Sequence, residues 1–299
     1  MTEHQPYRQF RLRPMAGALG ADIDGVDLAS LDEAGFAELS RAFFEHLVLH
    51  IHDQRLTPEQ HVALTKRFGP TSRSPYIKHM EEHSDIIAVL KEADEAKIST
   101  FGNAWHSDFS FLEEPPMGSL LYAREVPSHG GDTLFANMYL AYEALSEGMK
   151  RMLDPLKAIH TGKPYGVNGV GPDLKVSRSI GIERNRPEAD REILHPIVRV
   201  HPVTGRRALF VNSIYTARIE GMTEAESRPI LRFLFAHAVQ PEFTCRLRWR
   251  SGDLAIWDNR CAMHYAVNDY DGQRRLMHRT TVAGERPMGV ADERAAGAA

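Results

Sequence analysis

The chain has 299 residues, 42% of them hydrophobic and 25% charged, with a net charge of −4. These values suit a globular protein that buries a large core; they exclude a disordered chain and give no general electrostatic reason for nucleic acid or an anionic membrane as partner. Cys245 and Cys261 are the only cysteines, which excludes a disulfide framework and a thiolate zinc cage.

The opening residues carry no apolar signal-peptide core, and no run is long and apolar enough to span a bilayer. A reduced, cytoplasmic protein is expected. Residues 1–8 and 288–299 read as loose tails. Strands are expected at 10–12 and 19–23. Phe36, Leu39, Phe43 and Leu47 recur at three- and four-residue steps, which predicts an amphipathic helix over 31–49. Thr57 caps a second helix, which Gly69-Pro70 stops after Phe68. Strand candidates follow at 86–90, 119–123 and 133–135, then helical patches at 141–145 and 149–153. Residues 162–191 are rich in Gly, Pro and charge without a clean period, and read as a mobile lid. Strands at 193–200, 208–211, 244–249, 253–257 and 275–282 are interrupted by one helix at 224–237. Short strands without regular strand–helix alternation argue against a doubly wound parallel sheet. The expected fold is mainly β with flanking helices, a double-sheet jelly roll. It is drawn as one domain over 1–299, with 1–70 as a helical N-terminal elaboration.

Fifteen histidines and 40 acidic residues supply roughly two His-x-acid matches by composition alone. The sequence holds three: His79/Glu81, His83/Asp85 and His106/Asp108. The bare pattern therefore decides nothing. The first two share 79–85, where His79, Glu82 and His83 also fit a His-x-x-Glu-His zinc-hydrolase pattern. That chemistry needs both histidines on one helix face. With Pro75 upstream and a strand-like run from Ile86, a solvated charged turn is the ordinary reading.

His106 and Asp108 lie in an aromatic, strand-like stretch, Asn-Ala-Trp-His-Ser-Asp-Phe-Ser-Phe over 103–111. Residues i and i+2 of an extended chain project from one face. An apolar setting leaves a carboxylate there in need of a cation, a metal or several donors. His264, in a separate strand, would complete the two-histidine, one-carboxylate facial set of non-haem Fe(II) oxygenases. Arg275 and Arg279 follow eleven and fifteen residues later and share one strand face. A guanidinium there can grip the remote carboxylate of a dicarboxylate cosubstrate, and two cations facing one cavity suggest two anions.

The motifs Trp-His-Ser-Asp-Phe-Ser-Phe (105–111), Gly-Gly-Asp-Thr-Leu-Phe-Ala-Asn (130–137), His-Pro-Val-Thr-Gly (201–205) and Ile-Trp-Asp-Asn-Arg-Cys-Ala-Met-His-Tyr-Ala with Arg-Arg-Leu-Met-His-Arg (256–279) resemble the taurine/2,4-dichlorophenoxyacetate dioxygenase family. The similarity runs in order from about residue 10 to 287. It implies a double-stranded β-helix that uses Fe(II), 2-oxoglutarate (α-ketoglutarate) and O2. By the same resemblance, His106, Asp108 and His264 are the catalytic metal ligands. Thr133 joins Arg275 on the far carboxylate of 2-oxoglutarate, Arg279 binds the anionic group of the primary substrate, and Trp257 packs near the metal. The family implies a small anionic organic substrate and a homodimer or homotetramer.

The substrate pocket departs from the taurine pattern. Ser74 and Ile77 stand where taurine enzymes carry a His and a Tyr, and Tyr215 stands in place of a Phe. The stretches 211–227 and 243–246 look more like aryloxyalkanoate dioxygenases. The expected reaction is hydroxylation of an aryloxyalkanoate, alkylsulfonate or sulfate ester with release of succinate and CO2. Taurine dioxygenation releasing sulfite is the alternative; a zinc hydrolase and a non-catalytic anion-binding barrel are remote ones. An intact carboxylate at Asp108 favours hydroxylation over halogenation, since halogenating relatives keep that position small.

Overall fold

The computed structural model describes residues 6–95, 98–167 and 179–292. Its first strands, β1 (Arg11–Pro14) and β2 (Ala21–Asp24), form an antiparallel pair. α1 (Glu33–His46) starts where the Asp32 carboxylate accepts the Gly35 N–H. Leu39 and Phe43 on its inner face are buried, each worth about 1.5–3 kcal/mol. The helix expected over 31–49 ends early: Leu47 adopts φ +66° and the chain enters β3 (Val48–Ile51). An apolar run with β-branched ends gains more from two strand partners than from another helical turn. α2 (Pro58–Phe68) carries a full capping box between Thr57 and Gln60.

Four strands and two short helices follow: β4 (Ile87–Lys91), β5 (Gly118–Glu125), β6 (Thr133–Asn137), α3 (Met138–Glu143), α4 (Glu147–Leu153) and β7 (Lys157–His160). Then come β8 (Ile193–Pro196), β9 (Val198–Val200), β10 (Arg207–Leu209), β11 (Thr216–Ile219) and α5 (Glu224–Ala238). The chain closes with β12 (Thr244–Leu247), β13 (Leu254–Asp258), β14 (Ala262–Ala266), β15 (Arg275–Val282) and β16 (Met288–Gly289). The run expected as one strand over 193–200 divides at Ile197 into β8 and β9, which join different sheets.

A seven-stranded sheet has the order β1-β2-β3-β13-β5-β15-β4, antiparallel except where β2 meets β3. Residues 1–70 are therefore not a separate helical elaboration, since β1 to β3 belong to the main sheet. Three-stranded sheets β12-β6-β14, β11-β7-β8 and β10-β9-β16 complete the protein. The tail expected from 288 does not begin there, because Met288 pairs with Val200 and Val290 is buried. At the other end, Arg8 and Gln9 donate their N–H groups to Glu38.

Side chains alternate across the main sheet as the pleat requires. Leu120, Tyr122, Leu254 and Ile256 share one core with α1. Leu121, Ala123, Ala255, Trp257 and Met277 share another with Phe135 and Leu247 of the small β12-β6-β14 sheet. Arg275 and Arg279 flank Met277 at alternate positions of β15 and are buried with it. No helix among the described residues is long and apolar enough to cross a membrane.

Candidate active site

His106 and His264 form an isolated antiparallel bridge in which each N–H donates to the other's carbonyl, at 3.1 and 2.8 Å. Directly opposed residues project to the same side, and the ring centroids are 4.2 Å apart. The stretch 103–111 is strand-like only at His106. Asp108 opens a turn in which Phe109 takes φ +44°, a left-handed conformation uncommon for a bulky residue. The turn still delivers the carboxylate: Asp108 Oδ1 lies 3.8 Å from His106 Nε2 and 3.9 Å from His264 Nε2. All three side chains are buried.

Each group is oriented by a partner of its own. His106 Nδ1–H donates to the Ala104 carbonyl at 2.7 Å, which leaves Nε2 as a lone pair toward Asp108. His264 is fixed by packing, with Trp257 at 4.8 Å and Phe135 at 6.2 Å between ring centroids. Ser119 Oγ–H donates to Asp108 Oδ2 at 2.8 Å, and Arg279 Nη1–H donates to Oδ1 at 3.2 Å. Asn259 holds the turn through its carbonyl, which accepts the Ser107 hydroxyl at 2.6 Å, while its Oδ1 accepts from Trp257 Nε1 at 2.9 Å.

Burial by itself would raise the Asp108 pKa, but Arg279, then the two imidazoles and Ser119, hold it below the usual carboxylate range. Burial pushes His106 down despite Asp108 and the Ala104 carbonyl. Burial and then the neighbouring His106 push His264 down to about 3. Two neutral imidazoles and one carboxylate are the protonation states a divalent metal needs. The donor set therefore fits such an ion.

Arg279 reaches this centre from β15, and Arg275 lies on the same face of that strand. Arg279 lies between the rings of Phe101 and Phe109, 5.8 and 5.7 Å from their centroids. Its Nε and Nη2, and Arg275 Nε, are buried with no hydrogen-bond partner among the described residues. Buried guanidinium N–H groups left open in this way suit an anion. Thr133 and Arg275 are joined by a residue that the sequence did not single out, Trp249. Its Nε1–H donates to Thr133 Oγ1 at 3.0 Å, and the Arg275 guanidinium sits 5.9 Å from its ring.

A cavity of about 130 Å³ opens beside His106, lined by Tyr165, Tyr215, Phe101, Ile182 and Arg184 among others. Behind it, Tyr76, Phe109, Phe111, Tyr165 and Tyr215 pack as an aromatic cluster with Ile77. Of the pocket positions, Tyr215 lines the cavity, with its hydroxyl 3.4 Å from that of Tyr165. Ile77 is buried behind the wall and bridges Ile182. Ser74 is not brought to the cavity: its hydroxyl accepts the Tyr76 N–H and its carbonyl accepts His79 Nε2–H. Trp257 reaches His264 rather than the cavity. The cavity-lining Arg184, Ile182 and Tyr165 flank 168–178, the part of the expected lid that lies outside the described residues.

The decoy over 79–85 does not assemble. It contains no helix, Asp85 accepts from Arg73 and Thr71, and His83 lies 3.6 Å from Glu59. The His/Cys/Asp/Glu groupings able to hold a metal among the described residues do not include it.

The profile of the Taurine catabolism dioxygenase TauD, TfdA family matches residues 11–281. The chain belongs to that family. Its relatives include an alpha-ketoglutarate-dependent sulfate ester dioxygenase from Pseudomonas putida, 36% identical over 94% of this chain and 92% of the other. An (S)-phenoxypropionate/alpha-ketoglutarate-dioxygenase from Sphingobium herbicidovorans is 34% identical, over 92% of this chain and 96% of the other. In structure the chain is similar to a taurine dioxygenase from Burkholderia xenovorans, with a TM-score of 0.78, 31% identity, and coverage of 95% and 94%. Like that protein, this family member is built mainly of sheet with few helices.

Proposed function

We propose that the chain is an Fe(II)- and 2-oxoglutarate-dependent dioxygenase that hydroxylates a small organic anion. The observation that carries this reading is the convergence of two neutral imidazoles on one ionised carboxylate oxygen, beside a cavity and two buried arginines. His106, Asp108 and His264 would hold the iron, which when bound supplies O2 activation coupled to oxidative decarboxylation of 2-oxoglutarate. Thr133 and Arg275 would grip the remote carboxylate of 2-oxoglutarate, with Trp249 bracing the pair. Arg279 would hold the substrate's anionic group and so place a C–H bond toward the metal set. The aromatic wall excludes water from that space. The balance is one 2-oxoglutarate, one O2 and one C–H bond converted to succinate, CO2 and one C–OH. Where the hydroxylated carbon bears an ether or sulfate-ester oxygen, the product collapses to a carbonyl compound with release of the phenol or sulfate.

The apolar wall favours an aryloxyalkanoate or alkyl sulfate over taurine. Among the described residues lining the cavity there is no carboxylate to meet taurine's ammonium. The same reading takes the two facing sheets as a double-stranded β-helix, 162–191 as a lid, and the protein as a cytoplasmic single-domain chain that forms a dimer or tetramer.

The test is succinate release with Fe(II) and 2-oxoglutarate across aryloxyalkanoates, alkyl sulfates, alkylsulfonates and taurine. At least one of the first two classes should stimulate release above the uncoupled rate. Anaerobic addition of Fe(II) and 2-oxoglutarate should give a weak visible charge-transfer band. No band at saturating metal, with no stimulation by any class, would sink the proposal.

A further inference from the structure

Where β2, β3 and the start of β13 meet lies a second histidine–carboxylate cluster. His50 of β3 and His52, the first residue after it, alternate with Leu49 and Ile51, which pack with α1. Asp22 of β2 stands in register with His50, and Asp253 directly precedes β13. The four side chains form a closed ring of contacts. His50 Nε2 lies 2.9 Å from Asp253 Oδ2, and His52 Nδ1 lies 3.0 Å from Asp253 Oδ1. The remaining ring nitrogens, His50 Nδ1 and His52 Nε2, lie 3.0 and 3.3 Å from one oxygen, Asp22 Oδ1.

Proton counting makes this arrangement informative. A neutral imidazole has one N–H, so two neutral rings fill two of the four contacts. Asp253 is 1% exposed and lies where it can accept from both rings, the carboxylate–histidine pairing that fixes a metal-binding tautomer once a metal displaces Arg250. Two imidazole lone pairs would then face the Asp22 carboxylate oxygen across 3.0 and 3.3 Å, a contact that an added proton or a bound metal ion relieves. The three donor atoms fall within one coordination sphere. Arg250 is the competing cation: its backbone N–H donates to Asp253 Oδ2, and its Nη2 lies 3.1 Å from His52 Nδ1. The same Nη2 lies 3.5 Å from His52 Nε2, so a metal on the Asp22 side would displace this arginine from the ring.

We propose that Asp22, His50 and His52 form a second divalent-metal site, with Asp253 as the positioning residue for both imidazoles. Two nitrogens and one carboxylate oxygen suit zinc or a similar borderline cation. The cluster borders a cavity of about 600 Å³, which gives an ion access and leaves room for water ligands. The site would act as a staple: it ties β2 to β3 and to the start of β13. The His50 ring also packs edge-on against Trp249, 6.0 Å between centroids, so the staple backs the residue that donates to Thr133.

The test is metal stoichiometry of the full chain after chelator treatment and dialysis against Zn(II), with thermal unfolding in parallel. Wild type should bind two ions per chain. A His106→Ala/His264→Ala variant should keep one and gain thermal stability on Zn(II) addition. Adding His50→Gln and His52→Gln to that variant should abolish both effects. Should the quadruple variant fail to fold by circular dichroism, Asp22→Asn decides in its place, with at least tenfold weaker Zn(II) binding expected; Asp22 is only half-buried and leaves the Asp253 contacts intact. Absence of Zn(II) from the His106→Ala/His264→Ala protein overturns the proposal. So does binding unaffected by the β3 or Asp22 changes, or imidazole NMR showing His50 doubly protonated at pH 7 and unmoved by Zn(II). The outcome does not depend on the active-site reading, since the background variant removes that metal set.

Discussion

The proposed metal cluster His106/Asp108/His264 and a third group, His201/Asp258/Cys261, contain similar residues and are equally buried, yet their chemistry is opposite. In the third group Asp258 is fully used. Arg260 donates to it from Nε, Nη2 and the backbone, and His201 Nε2–H donates as well. Burial pushes the Cys261 thiol well up, so it stays protonated. An arginine has taken the cation's place, and the group is a structural ion network. At Asp108 the arginine takes only one position, through a single Nη1 contact, and leaves its other N–H groups open. Residue type nominates a metal site, and the unspent valence of each group decides it.

Breaking this contrast should produce graded losses. Asp108→Ala should take succinate release to background, whereas Cys261→Ala should leave turnover within about twofold, measured on folded protein. Arg279→Ala should raise KM for the primary substrate at least about 30-fold, the lower end for truncating one partner of a buried charge pair, with 2-oxoglutarate affinity little changed; equal loss of both would contradict the division of labour between Arg275 and Arg279. Ser119→Ala removes an orienting hydrogen bond and should weaken metal binding about tenfold in a calorimetric titration. Trp249→Phe keeps the ring but loses the Thr133 bond, roughly 1 kcal/mol, so KM for 2-oxoglutarate should rise about fivefold.

A buried histidine outside these clusters provides the acid-stability comparison. His61 is enclosed under β15 with Thr280 as its partner, and burial lowers its pKa from 6.5 to about 3. The unfolded chain takes up this proton as pH falls through 6.5 while the folded chain does not until about 3. Stability is therefore full above 6.5 and falls between these values, by about 2 kcal/mol at pH 5 from this residue. Urea midpoints at pH 7.5 and 5 check it, and His61→Asn should flatten the difference if it folds.

Much of the framework was legible because local rules agreed with the final fold. Thr57 caps its helix as expected, and the alternation of Arg275, Met277 and Arg279 placed both cations on one face. The helix over 31–49 misled at its end because Val48–Ile51 satisfies a helical period and a strand equally, and only β2 and β13 as neighbours choose. Ser119 and Trp249 left no signal, and of the aromatic wall only Phe109, Phe111 and Tyr215 stood out. A serine or tryptophan in a strand reads the same whether it meets a core or a site.

By itself the sequence determined the chemistry on offer at 103–111: one imidazole, one carboxylate, two residues apart and among aromatics. It also determined, through the order and spacing of His264, Arg275 and Arg279, that a partner set existed downstream. Only the tertiary structure decided that these groups meet, because convergence depends on the His106–His264 backbone bridge and on the left-handed turn at Phe109. It likewise decided that 79–85, with the same His-x-acid spacing, does not join them. Two residues apart along a chain fixes a shared face only while the chain is extended, and what lies opposite that face is settled by which strands pair.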